Sequence, residues 1–339
     1  MIKALLKAKE FVKAFYGKYN RYLNGLIRFC FSLVVYLSIA FHAGYNPVLS
    51  SPFVAVGLAV ISAFLPIYMV TVFGALLLSV EFLSVSPIIA IVILVLFLLM
   101  LLLYFVFRAN DSWVLMLTMT LCLLSFPPVV LPVALVASPI ETIVVAFGVL
   151  IYGLVAIVKK DVSVLSGSSG SLSTGGKINL LLNDLFTNET FLLLMITLTA
   201  SFLLISVIRR SKINHAPLVA IVSGDILFLI SFLLGNYFLD IPLNFVSVGI
   251  AFLLNILIAF VMTGLVLSYD YKRTEEVQFE DDEYYYFVKA IPKTAIALTE
   301  RKVEAITKPK TPSANTGEID VKQVFVRREE EDRRKDRAE

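Results

Sequence analysis

Residues 88–107 read IIAIVILVLFLLMLLLYFVF. The run contains no charge, proline or glycine, and as a helix rising 1.5 Å per residue it covers the ~30 Å hydrocarbon core of a bilayer. A barrel strand would alternate polar and apolar residues over about ten positions, and this run does not alternate. In lipid the backbone must satisfy its own hydrogen bonds, so an uninterrupted apolar run of this length predicts a membrane-spanning helix. Working outward, comparable stretches lie at 25–43, 53–80, 113–135, 139–158, 190–208, 216–235 and 243–268. The expectation is an all-α, polytopic helical membrane protein of about 8 transmembrane helices.

Composition agrees. The 339 residues are 58% hydrophobic and 16% charged, with a mean hydropathy of +0.86, against about 45–50% apolar and about 25% charged for soluble domains. That excludes an ordinary soluble globule. Charge is also segregated: the last 71 residues hold 32 of the 55 charged side chains. Three regions follow: an amphipathic interfacial helix at 1–24, a transmembrane domain at 25–268, and a cytoplasmic tail at 269–339 that is largely disordered or docks a partner. In the first, Ile2, Leu5, Leu6, Phe11, Val12, Phe15, Tyr16 and Tyr19 recur at helical spacing, with lysines on other faces; such a helix lies against membrane lipid. Cys30 and Cys122 sit in apolar runs and His42 and His215 are far apart. No disulfide framework, metal site or cofactor is expected.

Lys and Arg accumulate on the cytoplasmic side of short loops. Placing both termini inside puts 25 Lys and Arg inside and 4 outside, which selects that orientation. Lys159 and Lys160 fit it worst, and a seven-span arrangement with one re-entrant segment would move them inside. The difficulty centres on Pro127, Pro128, Pro132 and Pro139, since proline removes a donor and clashes with the preceding turn. The fourth span must break or end there, either at a substrate path or simply at the cytoplasmic face. Ser86–Val92 and Ser138–Val144 agree at five of seven positions. Both are expected to start spans from the same face, as in a duplicated hairpin, although the small apolar alphabet makes coincidence the simpler reading. Residues 161–189, with SGSSGS at 166–171, read as a flexible linker carrying a short apolar patch at 178–186.

The tail begins with an acidic block, Glu275, Glu276, Glu280, Asp281, Asp282 and Glu283, joined to a β-prone aromatic block, Tyr284, Tyr285, Tyr286 and Phe287. Glu280–Tyr286 are the candidate partner-docking residues. A short helix near 294–306 and an alternating stretch at 319–322 follow. The segment SYDYKRTEEVQ (268–278) and FEDDEYYYFVKAIPK (279–293) resembles the juxtamembrane tail of a family of multi-pass membrane proteins of Gram-positive anaerobes that has no established activity. The resemblance implies the bacterial cytoplasmic membrane and assigns no catalytic residue.

An ionised group at mid-membrane costs about 2.5–3.5 kcal/mol on insertion scales. Asp225, near the centre of span 216–235, is the leading candidate for a proton or cation site; the alternative is a protonated carboxyl that fixes packing. Asn255, also mid-span, should seek an interhelical hydrogen bond. Glu81 and Glu141 are expected at span ends near the cytoplasmic face, solvated or at helix starts. Gly224-Asp225 and Tyr269-Asp270 approach the GxGD and YD pairs of intramembrane aspartyl proteases, but Val222 stands where a glycine belongs and the order is reversed. No Walker loop, GxGxxG turn or serine–histidine pairing is present, and no nucleic-acid partner is expected. The sequence therefore predicts a non-enzymatic membrane subunit or scaffold of a cell-envelope complex that recruits a cytoplasmic or membrane protein partner through its tail. The alternative is a transporter or permease subunit using Asp225.

Overall fold

The amphipathic start and the first apolar run fuse into one helix, α1 (Ile2–His42), whose non-helical backbone lies at Tyr19 (φ −113°, ψ 20°). The expected interfacial helix and first span are thus continuous, divided by a kink at Tyr19 rather than by a boundary at residue 24. The computed structural model describes residues 2–107, 112–166, 173–211, 213, 215–241, 245–265, 275–281 and 283–290. Contacts divide the chain into Met1–Ile296 and Ala297–Glu339, and all described residues lie in the first unit. The expectations for 294–306 and 319–322, and for Asp270, fall outside the described residues.

The stretch 53–80, expected as one span, is two helices, α2 (Pro52–Phe64) and α3 (Tyr68–Leu83). Pro66 has no amide to donate and disfavours helix at the residue before it, and Leu65 is extended (φ −97°, ψ 163°). The chain reverses there. Arg28 Nη1 donates to the Leu65 carbonyl at 2.9 Å and Tyr36 Oη lies 2.8 Å from Ser62 Oγ, so α2 runs back along α1. α3 then returns, and Glu81 in its last turn meets the backbone amides just beyond α1. We call the end of the molecule where α1 finishes the upper end.

α4 (Pro87–Phe107) descends from that end. α5 (Trp113–Leu123) starts from the lower one, where Thr71 Oγ1 at the foot of α3 donates to the Ser112 carbonyl at 3.0 Å. After Ser125, whose φ is 65°, the second half of the expected span 113–135 is a 3-10 helix, Pro127–Leu135. The proline-rich stretch thus breaks the span as expected. α6 (Glu141–Lys160) climbs beside α5, and Gly148 is required there: a Cβ would sit 2.9 Å from the Leu115 carbonyl.

Lys177 Nζ donates to the Leu165 carbonyl at 2.6 Å and to Ser86 Oγ at 3.3 Å. Ser86 therefore lies beside the chain that follows the C-terminus of α6, whereas Ser138 precedes its N-terminus. The two Ser-Pro-Ile copies start helices from opposite ends, which overturns the expectation that they leave one face. The expected linker at 161–189 is also largely helical, as α7 (Val162–Leu165) and α8 (Thr174–Thr187). Ser173 Oγ caps α8 by accepting from the Gly176 amide at 3.3 Å, and Leu181 and Leu185, one turn apart, are buried. α9 (Glu189–Ile208) descends, α10 (Ala216–Leu239) ascends and α11 (Phe245–Leu265) completes the helices.

The interior is apolar with small polar side chains packed into it, and the outer surface is apolar as well. Ser62, Thr71, Thr118, Thr197 and Ser201 are buried, while Leu98, Ile196, Leu253 and Phe260 project outward; hydrocarbon suits that surface better than water. Five helices are long and apolar enough to cross a membrane: Ala14–His42, Glu141–Lys160, Glu189–Ile208, Ala216–Leu239 and Val246–Thr263. Beside these helices the described residues include an antiparallel hairpin, β1 (Glu275–Glu280) and β2 (Tyr285–Ala290).

Candidate functional site

Pro217 in the first turn starts α10, and left-handed residues bound it, His215 (φ 57°) and Asp240 (φ 50°). Its centre packs closely on α9 because residue 224 is glycine: a Cβ there would meet Ile205 Cγ1 at 2.3 Å. The small residues flanking Asp225 thus permit the close helix approach that Ser223-Gly224 predicts. Asp225 is turned inward, 5% exposed. On α11 the buried positions Ala251, Asn255 and Ala259 recur every fourth residue, and Asn255 is fully buried between the two alanines.

These two side chains meet: Asn255 Nδ2 donates to Asp225 Oδ1. Both sequence candidates at mid-span therefore belong to one pair, 30 residues apart in the chain. Asn255 Oδ1 and the Ser201 hydroxyl of α9, whose own backbone carbonyl faces Gly224, are buried without a hydrogen-bond partner among the described residues. Ser201 is a residue the sequence does not single out, being one hydroxyl among several in its span. The 3-10 segment Pro127–Leu135 packs against α9, α10 and α11, which brings the proline-broken span into the same region as the pair. An aspartate beside an amide can be held in two states. Ionised, it accepts from the amide nitrogen; protonated, it donates to the amide oxygen after the amide turns over.

Glu81 and Glu141 do not join this site. Glu81 is fully buried, and its Oε2 accepts from the amides of Tyr45 and Asn46, both at 2.8 Å. This corrects the expectation of a solvated carboxylate at the cytoplasmic face. The α2–α3 reversal carries residue 81 to the same end as the loop after α1, where its charge meets two backbone donors. Glu141 is a helix-start carboxylate, as its spacing from Pro139 suggested: Oε1 accepts from the Ser138 amide at 2.6 Å, one half of a capping box.

The candidate docking residues form the turn and flanks of the hairpin, apart from Asp282, which lies outside the described residues. Asp281 Oδ1 accepts from the amides of Glu283 (3.0 Å) and Tyr284 (2.7 Å). These bonds, with one from the Tyr286 hydroxyl, hold the Asp281 carboxyl below its ordinary range, and that last bond pushes the Tyr286 phenol up. Asp281 thus shapes the turn. Register places Val277 opposite Val288 and Phe279 opposite Tyr286, so one face is apolar, with the Phe279 and Tyr286 rings stacked at 4.8 Å. Glu280 and Tyr285 pair on the other face. Within the tail expected to be largely disordered or partner-docking, 275–280 and 285–290 pair as this hairpin, because alternating apolar positions on both strands meet.

Among the described residues no three His, Cys, Asp or Glu side chains converge as a metal site would require. Comparison with protein-family models, with curated proteins and with solved structures finds no match for the chain.

Proposed function

We propose that the protein is a non-enzymatic, multi-pass subunit or scaffold of the bacterial cytoplasmic membrane that recruits a cytoplasmic protein through hairpin 275–290. The observation that carries this reading is the uncovered apolar face of the hairpin: Val277, Phe279, Tyr286 and Val288 are between 36% and 50% exposed. A two-stranded hairpin alone is marginally stable and gains most from a surface that covers it. Glu275 lies at the edge of that face, Glu280 on the opposite face and Asp281 and Glu283 at the turn, so the anionic inner leaflet repels the hairpin and a protein with apolar and basic groups suits it. The reading takes α1 to α11 as about eight crossings, with α2–α3 as a short helical hairpin and both termini inside. Support for this orientation comes from the upper end, where Lys160 is paired with Asp184 (3.2 Å) and Lys177 with helix-end oxygens.

The test is purification of the full chain and of the F279D/V288D variant in mild detergent, followed by mass spectrometry of whatever stays bound. The expected outcome is a partner retained by the wild-type chain and reduced at least about tenfold in the variant, as for truncated interface anchors. An identical set of bound proteins would overturn the reading.

A second reading, a transport subunit, is favoured by the Asp225–Asn255 pair beside the proline-broken segment. In proteoliposomes loaded with a pH-sensitive dye, Asp225→Asn should lower proton flux at least about tenfold, the size expected when a proton-relaying acid is removed. Unchanged flux at equal reconstitution counts against it.

A further inference from the structure

The kink at Tyr19 and the end of α2 leave a cavity of about 960 Å³ between them, lined by Arg21, Tyr22, Asn24, Arg28, Phe29 and Phe64 among others. Arg21 and Arg28 are seven residues apart, two helical turns, so they share one face of α1. Arg28 is half-buried, oriented by its bond to the Leu65 carbonyl, which terminates α2. That bond uses one of five guanidinium N–H groups. Among the described residues the ion pair is Lys160 with Asp184; neither arginine has a carboxylate within salt-bridge distance.

The polar side of this cavity is built as well as charged. Tyr16 Oη donates to Asn24 Oδ1 at 2.5 Å and Asn24 Nδ2 to Asn20 Oδ1 at 2.6 Å, which ties the chain together across the kink. The other side is apolar and open: Leu26, Val60 and Phe64 line it, and Phe64 is 85% exposed. Two guanidinium groups with no carboxylate partner among the described residues, next to an outward-facing apolar wall where an amphipathic segment bends into a span, match a ligand with an anionic head and hydrocarbon tails. Arginine forks suit phosphate oxygens in particular.

We propose that this cavity binds the phosphodiester headgroup of an anionic phospholipid between Arg21 and Arg28, with the acyl chains lying along Leu26, Val60 and Phe64. The site is independent of the hairpin and of Asp225.

The test uses the full chain in mild detergent, stripped of lipid and given equal amounts of phosphatidylglycerol and phosphatidylcholine with identical acyl chains. Native mass spectrometry should find phosphatidylglycerol retained in preference, about fivefold less in R21Q and less still in R21Q/R28Q, as expected for basic side chains at an anionic surface. R21K, which keeps the charge and loses the planar fork, should fall between the wild type and R21Q. Because Arg28 also holds the end of α2, R21Q decides the matter if the double variant does not fold. Equal retention of both lipids, or no change in R21Q, overturns the proposal. Displacement of the lipid by excess inorganic phosphate would mark a free-anion site and overturn the lipid assignment.

Discussion

Glu81 shows how a single carboxylate can hold a loop in an apolar protein. Its Oε2 takes the Tyr45 and Asn46 amides, half-buried donors that have left α1. Next to it the Tyr45 phenol, in the loop, is pushed up to about 12, by burial first and by the Glu81 charge second, so it stays protonated at neutral pH. Glu81→Ala takes this acceptor from the Asn46 amide and leaves the Tyr45 amide only the Ala43 carbonyl at 3.0 Å. The expected loss is about 2–5 kcal/mol, the range for a stranded partner of a buried charge-assisted bond, and Glu81→Gln, which keeps an acceptor oxygen, should lose less. Heat denaturation of the detergent-solubilised protein, followed by helical circular dichroism, measures both. Equal midpoints for wild type and Glu81→Ala would show that water can serve these amides.

At the scale of elements, two prolines of similar local chemistry have different outcomes. Pro66 ends α2 and the chain turns back, while Pro132 lies within a 3-10 helix that continues to Leu135. The breaks at Pro66 and at Ser125–Pro127 each split an expected crossing, the first into a down-and-up pair and the second into an up-and-down one, and so exchange the ends of what lies between. Ser84, just after α3, and Ser211, just after α9, are both exposed. One uninterrupted span at 53–80 would put them on one side; the α2–α3 reversal puts them at opposite ends. Ser84→Cys and Ser211→Cys, each in a background without Cys30 and Cys122, should therefore react with an impermeant maleimide from opposite sides of sealed membranes. Reaction of both from one side would reject the reversal. The location of these breaks was legible, because proline acts on its own turn. Whether a break bends, caps or reverses the chain was not, because that depends on neighbours such as Arg28, which holds the Leu65 carbonyl.

At the scale of the whole molecule, the sequence by itself determined the helical, apolar class, the polar tail, and the two mid-span side chains that required partners. These follow from local rules: a backbone in hydrocarbon must bond to itself, and a buried polar group must find a complement. Tertiary structure alone decided that Asp225 and Asn255 are each other's complement, that Glu81 is a buried anchor, and that the Ser-Pro-Ile copies start from opposite ends. It also decided that Val277, Phe279, Tyr286 and Val288 share one face of a hairpin. Each of these depends on which helix or strand lies beside which. Within the apolar runs between 25 and 268 most residues can face either lipid or protein, so the pattern along the chain carries little information about neighbours. The choice rests on close-packing, on glycines such as Gly148 and Gly224 that admit a neighbouring helix, and on the few polar atoms that must be paired.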